Sequence, residues 1–320
     1  MQRYLPDWFI GGLMFMIFLA WLNPGLGMDT TPMNLGLFID VGIVLIFFFY
    51  GLKLDPEKLK QGMSNWRMHL SIQLVTFLIF PLLVLPFYPL VRGTELEIFW
   101  LGILFLAALP STVSSSVVMV SIARGNIPGA IFNASISGII GIVMTPFWMG
   151  LFLVSSAGAF DFGHILIQLF LQIILPVVVG LFLHRFVAKW IARFGKQLGN
   201  FDKTIILLIV YESFSESYLS GLFQSVSWSR LVGLTAVVLA MFFIVLRFTA
   251  WLAQKLRFSR ADRITLQFAG SKKSLVHGSV FSAILFAGIS SSGLLLLPIM
   301  IYHAFQLFYV SLLARREASN

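Results

Sequence analysis

The chain has 320 residues, of which 58% are hydrophobic and 11% charged, with a mean hydropathy of +0.93. A soluble domain is nearer about 45–50% apolar and about 25% charged, so this composition excludes an ordinary water-soluble fold. The net charge of +9 would suit nucleic acid only if the basic residues shared one solvated face; they lie instead in short loops between apolar runs, and the lack of cysteine excludes disulfides and thiolate chemistry.

Ten apolar runs emerge between Pro, Gly and charged punctuation, roughly 8–23, 35–51, 69–90, 97–123, 127–154, 163–184, 203–222, 230–253, 263–287 and 294–313. An apolar run of about 18 or more residues predicts a membrane-crossing helix, because in lipid every backbone N–H and C=O must be satisfied within the segment. Span 1 ends at Trp21-Leu22-Asn23-Pro24 without a small-residue cleavage site and is read as retained rather than as a signal peptide. Asp40, near the outer end of span 2, reads as interfacial, and Asp55-Pro56-Glu57 reads as a helix start. Trp66, Trp100, Trp148, Trp190, Trp228 and Trp251 lie near span ends, where aromatic anchors belong.

Span 4 is not clean. Pro110 is followed by five hydroxyl residues within Ser111-Thr112-Val113-Ser114-Ser115-Ser116, which should unwind the helix. A half-helix resuming near Val117 would aim its N–H groups and positive dipole at the midplane, where the hydroxyls could meet a cation or an anion. Asn133, Ser135 and Ser137 of span 5 could complete such a pocket or serve as interhelical donors. Residues 185–202 read as a basic loop before span 7, where Glu212 and Glu216 stand at i and i+4 on one helix face. In span 9, Gly270-Ser271-Lys272-Lys273-Ser274 places two lysines at mid-span, a cost of about 2.5–3.5 kcal/mol each. They call for a polar cavity and partners, with Glu212 and Glu216 as candidate counter-ions or a proton-coupling pair. In span 10, His303 and Gln306 form a polar pair at i, i+3.

With the N-terminus inside, the cytoplasmic segments hold 18 Lys and Arg, the outer segments only Arg92 and Arg230. That bias predicts an even number of crossings with both termini cytoplasmic. Ten spans divide five plus five near residues 155–162, and an odd number per half inverts the second half relative to the first. Interruptions at corresponding positions of inverted halves point to a secondary transporter's binding site. The histidines show no metal-ligand clustering, and no phosphate-binding loop, nucleophile elbow or nucleotide motif is present, so the reading contains no enzyme, cofactor or certain metal site.

The stretch Pro110–Ser116, with Ala123-Arg124-Gly125-Asn126 and Thr145-Pro146, resembles the bile acid:sodium symporter superfamily. Ala269-Gly270-Ser271-Lys272-Lys273-Ser274-Leu275, Tyr211-Glu212-Ser213-Phe214-Ser215-Glu216 and Pro298-Ile299-Met300-Ile301-Tyr302-His303 are similar to its SBF-like branch of symporters. The resemblance implies an all-α polytopic protein with ten transmembrane helices in two inverted five-helix repeats, 1–158 and 159–320, and with broken, crossing helices 4 and 9. It further implies a core of helices 3–5 and 8–10, a panel of helices 1–2 and 6–7, sodium bound by spans 4, 5 and 9, and an organic anion between core and panel.

Here the sequence departs from that pattern. A sodium-binding glutamate of span 9 falls on Gln267, the following Gln-Asn pair on Ser271 and Lys272, and the span 5 Ser/Thr ligands near Ala130 and Ala134. A lysine could replace a sodium ion and cycle protons. The expectation is a secondary transporter of a small organic anion in the inner membrane, with Na+ or H+ as candidate coupling ion; a cation/proton exchanger and a non-transporting membrane regulator are the alternatives. Ser114, Ser115, Ser116, Asn133, Gln267, Ser271, Lys272 and Lys273 are the expected substrate or ion site, and Glu212 and Glu216 the coupling pair.

Overall fold

The computed structural model describes residues 8–27, 35–54, 57, 62–63, 65–112, 114–153, 162–221, 226–287 and 289–319. Among them there is no strand. The helices are α1 (Trp8–Leu22), α2 (Leu35–Lys53), α3 (Trp66–Val91), α4 (Glu97–Ala108), α5 (Ser114–Ile122), α6 (Ile127–Leu153), α7 (162–219), α8 (Trp228–Lys255), α9 (Arg260–Gly270), α10 (Leu275–Leu285) and α11 (Ser292–Ser319). Among the described residues six stretches are long and apolar enough to cross a membrane: Leu35–Lys53, Trp66–Val91, Ile127–Leu153, Ile167–Val187, Trp228–Lys255 and Ser292–Ser319. The predicted helix start at Asp55-Pro56 and the predicted repeat boundary at 158/159 lie outside the described residues.

The irregularities of α3 have a covalent cause. Residues Val75–Ile79 form a π-helical turn in which the Phe80 N–H donates to the Val75 carbonyl, five residues back. The next residue is Pro81, which has no N–H. The carbonyls of Thr76 and Phe77 thereby lose their helical donors and become available to side chains. The Trp148 indole N–H takes the Phe77 carbonyl at 2.8 Å. Around Pro86 a 3₁₀ turn, Leu85–Phe87, diverts the Tyr88 N–H to Leu85, and the Trp100 indole takes the Val84 carbonyl at 3.0 Å. Trp100 and Trp148 are therefore buried, which corrects their assignment as interfacial anchors; Trp66, Trp190, Trp228 and Trp251 are exposed.

A second correction concerns residues 185–202. Helical backbone runs from Leu175 to Leu219 without a loop. The segment has no proline and carries Ala, Arg, Lys, Gln and Leu, all good helix formers, while Gly195 and Gly199 oppose it most. The run is not straight. His184 Nδ1 meets the Leu52 carbonyl at 2.7 Å, and Asp202 pairs with the adjacent Lys53 at 2.9 Å. On a straight helix those two residues would stand about 27 Å apart. The chain thus reverses direction between them while keeping helical hydrogen bonds.

Two compact units result. The first comprises Met1–Lys53, Ile167–Trp228 and Ser279–Leu296, and the second Leu54–Leu166, Ser229–Gly278 and Leu297–Asn320. In the first, α2 and α7 touch backbone to backbone: a Cβ on Gly51 would collide with the Val177 carbonyl, and one on Gly180 with the Phe48 carbonyl. Glycine permits that approach without burying unpaired polar groups. The second unit holds a cluster of Met68, Ile72, Ala253, Leu266 and Ala269, with Leu252 and Phe258 packed on it, and an aromatic set in which Phe242 meets Tyr302, Phe305 and Tyr309 edge to face.

Candidate functional site

In the second unit the chain leaves helical geometry at 109–112 and again at 271–274. Both breaks are buried, so each liberated backbone group needs a new partner or costs several kcal/mol in an apolar setting. The two breaks supply one another. The Ser274 N–H donates to the Pro110 carbonyl at 2.9 Å, and the Ser111 hydroxyl to the Ala269 carbonyl at 2.6 Å. Neighbouring helices complete the set. Ser137 Oγ accepts from the Ser111 N–H at 3.0 Å, and Thr145 Oγ1 donates to Ala108 at 2.8 Å. Tyr302 donates its hydroxyl to the Ser271 carbonyl at 2.5 Å. Gln306 grips Lys273 from both sides, accepting from its N–H at 2.9 Å and donating to its carbonyl at 2.7 Å. Ser274 then caps α10 by accepting from the His277 N–H.

Lys272 and Lys273 are both fully buried, and their surroundings differ. The Lys273 ammonium donates to three main-chain carbonyls: Thr76 at 2.8 Å, Ala107 at 2.6 Å and Leu109 at 2.7 Å. An ammonium has three N–H donors, so this one is saturated. The three acceptors are oxygens released by the α3 π-turn and by the end of α4. The Phe80 ring lies 4.1 Å from the nitrogen and adds a cation–π contact. Lys272 has one acceptor among the described residues, the Ser115 carbonyl at 2.9 Å in the first turn of α5. There the Thr112 hydroxyl bonds to those of Ser115 at 2.7 Å and Ser116 at 2.9 Å. An oxygen cage filled by one ammonium thus stands beside a second ammonium at a hydroxyl-rich helix start, and among the described residues the hydrogen-bond acceptors of both are main-chain carbonyls.

The remaining expected residues are placed as follows. Ser114 opens α5, but its side chain lies outside those described. Ser271 is buried, with its hydroxyl donating to the Gln267 carbonyl at 2.6 Å, and Gln267 itself is half-buried on α9. Asn133 belongs to a separate polar cluster: its Nδ2 donates to His69 Nδ1 at 2.6 Å and to the Gly129 carbonyl, while Gln73 donates to its Oδ1 at 3.2 Å. His69 Nε2 stands 2.7 Å from the Gly62 carbonyl, which places the ring proton on Nε2. Glu212 and Glu216 lie half-buried in the first unit, where Glu216 accepts from the Ser292 hydroxyl at 3.3 Å. Sequence reasoning assigned no role to Thr76, Tyr302 or Ala107; Thr76 left a trace through Pro81 five residues on, and Tyr302 stood only within the Pro298–His303 motif. It also missed Asp262, which accepts from Asn126, Asn65 and Ser259 and so ties three segments at the start of α9. No group of three or more His, Asp or Glu among the described residues could hold a metal ion.

Residues 7–319, nearly the whole chain, match the model of the SBF-like CPA transporter family. The chain belongs to that family. It is 38% identical over 316 residues to an uncharacterised protein of Pseudomonas aeruginosa, covering 99% of this chain and 94% of that one. It is 35% identical to a protein of Escherichia coli named as a symporter, YfeH, covering 95% and 90%. With sodium/bile acid cotransporter 7 of Rattus norvegicus the identity is 30%, covering 98% and 93%. This SBF-like CPA transporter is therefore a multi-pass membrane transport protein and not an enzyme. In the SBF-like transporter, polar side chains and freed backbone groups gather where the breaks at 109–112 and 271–274 meet.

Proposed function

We propose that the protein is a secondary transporter that carries a small organic anion by alternating access and is coupled to protons rather than sodium. The observation that supports this reading best is the saturated Lys273 ammonium, held by three carbonyls 2.6–2.8 Å away. Such an oxygen cage is what a bare monovalent cation would need, and here a covalently tethered cation fills it. A relative's name couples bile acid to sodium; a lysine in the cage removes the need for one such ion. Lys272, with its single carbonyl acceptor, is the ammonium left to meet a substrate anion or give up a proton, and the positive end of α5 favours an anion at the same place. Ser115, Ser116 and Ser271 line that position, and Glu212 and Glu216 serve as coupling or counter-ion groups of the other unit.

The proposal includes ten crossings in two inverted repeats, both termini on the cytoplasmic side of the inner membrane, and the two units acting as panel and core. Uptake of an organic-anion panel into proteoliposomes under separate proton and sodium gradients tests it. Accumulation driven by an inward proton gradient and indifferent to sodium is expected. Sodium-stimulated uptake that survives in Lys272→Ala and Lys273→Ala would overturn the lysine reading. A cation-driven proton flux without solute identifies an exchanger instead, and no flux of either kind identifies a regulator.

A further inference from the structure

We infer that a groove on the second unit holds one acyl chain of a zwitterionic bilayer phospholipid. The groove has a volume of about 740 Å³ and lies between the end of α3, α4 and the first half of α8. That size is within the range of about 300–1,000 Å³ typical of ligand sites. Its walls are hydrocarbon: Leu83 and Phe87, Phe99 and Ile103, Val237 and Ile244. Trp100 contributes only its ring, because its N–H is already bonded to the Val84 carbonyl. Polar groups enter at one end alone, through Ser229 and Arg230.

Shape and charge both favour a lipid. From Ser229 to Ile244 the lining follows α8 over 16 residues, about 22 Å along the axis. Half of the hydrocarbon thickness is about 15 Å, so the groove can take a single chain from headgroup level to its tip. The exposed Trp228, at the start of α8, marks the same end as an interface. Phe87 and Ile244 are more than half exposed, so the groove is open along one side, as entry from a bilayer requires.

The mouth carries charge of both signs. Arg230 pairs with Glu95; Arg92, next to the lining residue Val91, is exposed; and Glu97 accepts from the Gly93 N–H at 2.8 Å. Two basic and two acidic groups offer a partner to each charge of a phosphate with an amine, whereas their balanced charge gives an anionic headgroup no net attraction. Arg92 and Arg230 are also the two basic residues that depart from the cytoplasmic charge bias, and both gather at this mouth.

Native mass spectrometry of the intact protein from an equimolar mixture of phosphatidylethanolamine and phosphatidylglycerol tests the inference. One phosphatidylethanolamine per chain should persist. Gly233→Phe, where an added side chain meets open space, should cut its retention at least tenfold, as should Ala240→Phe in the same wall. Arg230→Gln should abolish the headgroup preference while leaving chain retention intact. Absence of retained lipid, preference for phosphatidylglycerol, equal retention in both Phe variants, or a dimer that dissociates in them would each overturn it.

Discussion

After α4 the helix stops where Pro110 has no N–H to give, whereas nothing covalent forbids helix through Ser271-Lys272-Lys273-Ser274, between α9 and α10. The first break is local: proline creates it and the neighbouring hydroxyls soften it. The second is imposed from outside, by Gln306 taking both backbone groups of Lys273 and by Tyr302 taking the Ser271 carbonyl. A lysine side chain joins the two, since the ammonium of the second break holds the oxygens exposed by the first. The difference teaches that the proline break would persist alone, while the lysine break depends on its neighbours.

The strongest test removes the link. Lys273→Met leaves the Thr76, Ala107 and Leu109 carbonyls buried without that donor, at about 1–3 kcal/mol per orphaned group. Thermal unfolding in detergent should record the largest stability loss of any variant here, and Lys273→Arg should not restore it, because a planar guanidinium cannot reproduce three convergent ammonium bonds. Gln306→Leu orphans two backbone groups and should lose somewhat less in the same assay, again at about 1–3 kcal/mol for each group. Tyr302→Phe removes one hydrogen bond and should cost about 1 kcal/mol. Lys272→Met should cost about 1 kcal/mol or less while lowering proteoliposome uptake at least tenfold, which separates the two lysines by function. Pro110→Ala should change stability by less than about 1 kcal/mol. If it instead matched Lys273→Met, the two breaks would not differ in kind.

Much of this was legible in the sequence. Pro110 and the hydroxyls announced one interruption, and the adjacent lysines announced the other, because both residue types are costly in an apolar helix. The partners of the lysines were not legible. Carbonyls carry no sequence signature, so the main-chain oxygens that meet both ammonium groups could not be read from residue types. Asn133 likewise reads as a pocket residue by its depth in span 5, yet its hydrogen bonds go to His69 and Gln73, a choice set by helix facing that one sequence does not fix. Gln306 was visible only as a neighbour of His303, and its grip on Lys273 needs the packing of α11 on the break. The basic segment 185–202 reads as loop by charge, but its helix formers keep helical hydrogen bonds through a reversal.

The π-turn of α3 carries one more consequence. The Thr76 oxygen is open to Lys273 because the residue five positions on is Pro81 and the Phe80 N–H has gone to Val75. Restoring an N–H by Pro81→Ala would set an amide competing with the ammonium for one oxygen. Positions 81 and 273 are then epistatic: the cost of losing the lysine should shrink in a Pro81→Ala background, and the double mutant should depart from additivity. Among homologues the same bond would appear as covariation between a proline in one helix and a lysine in another.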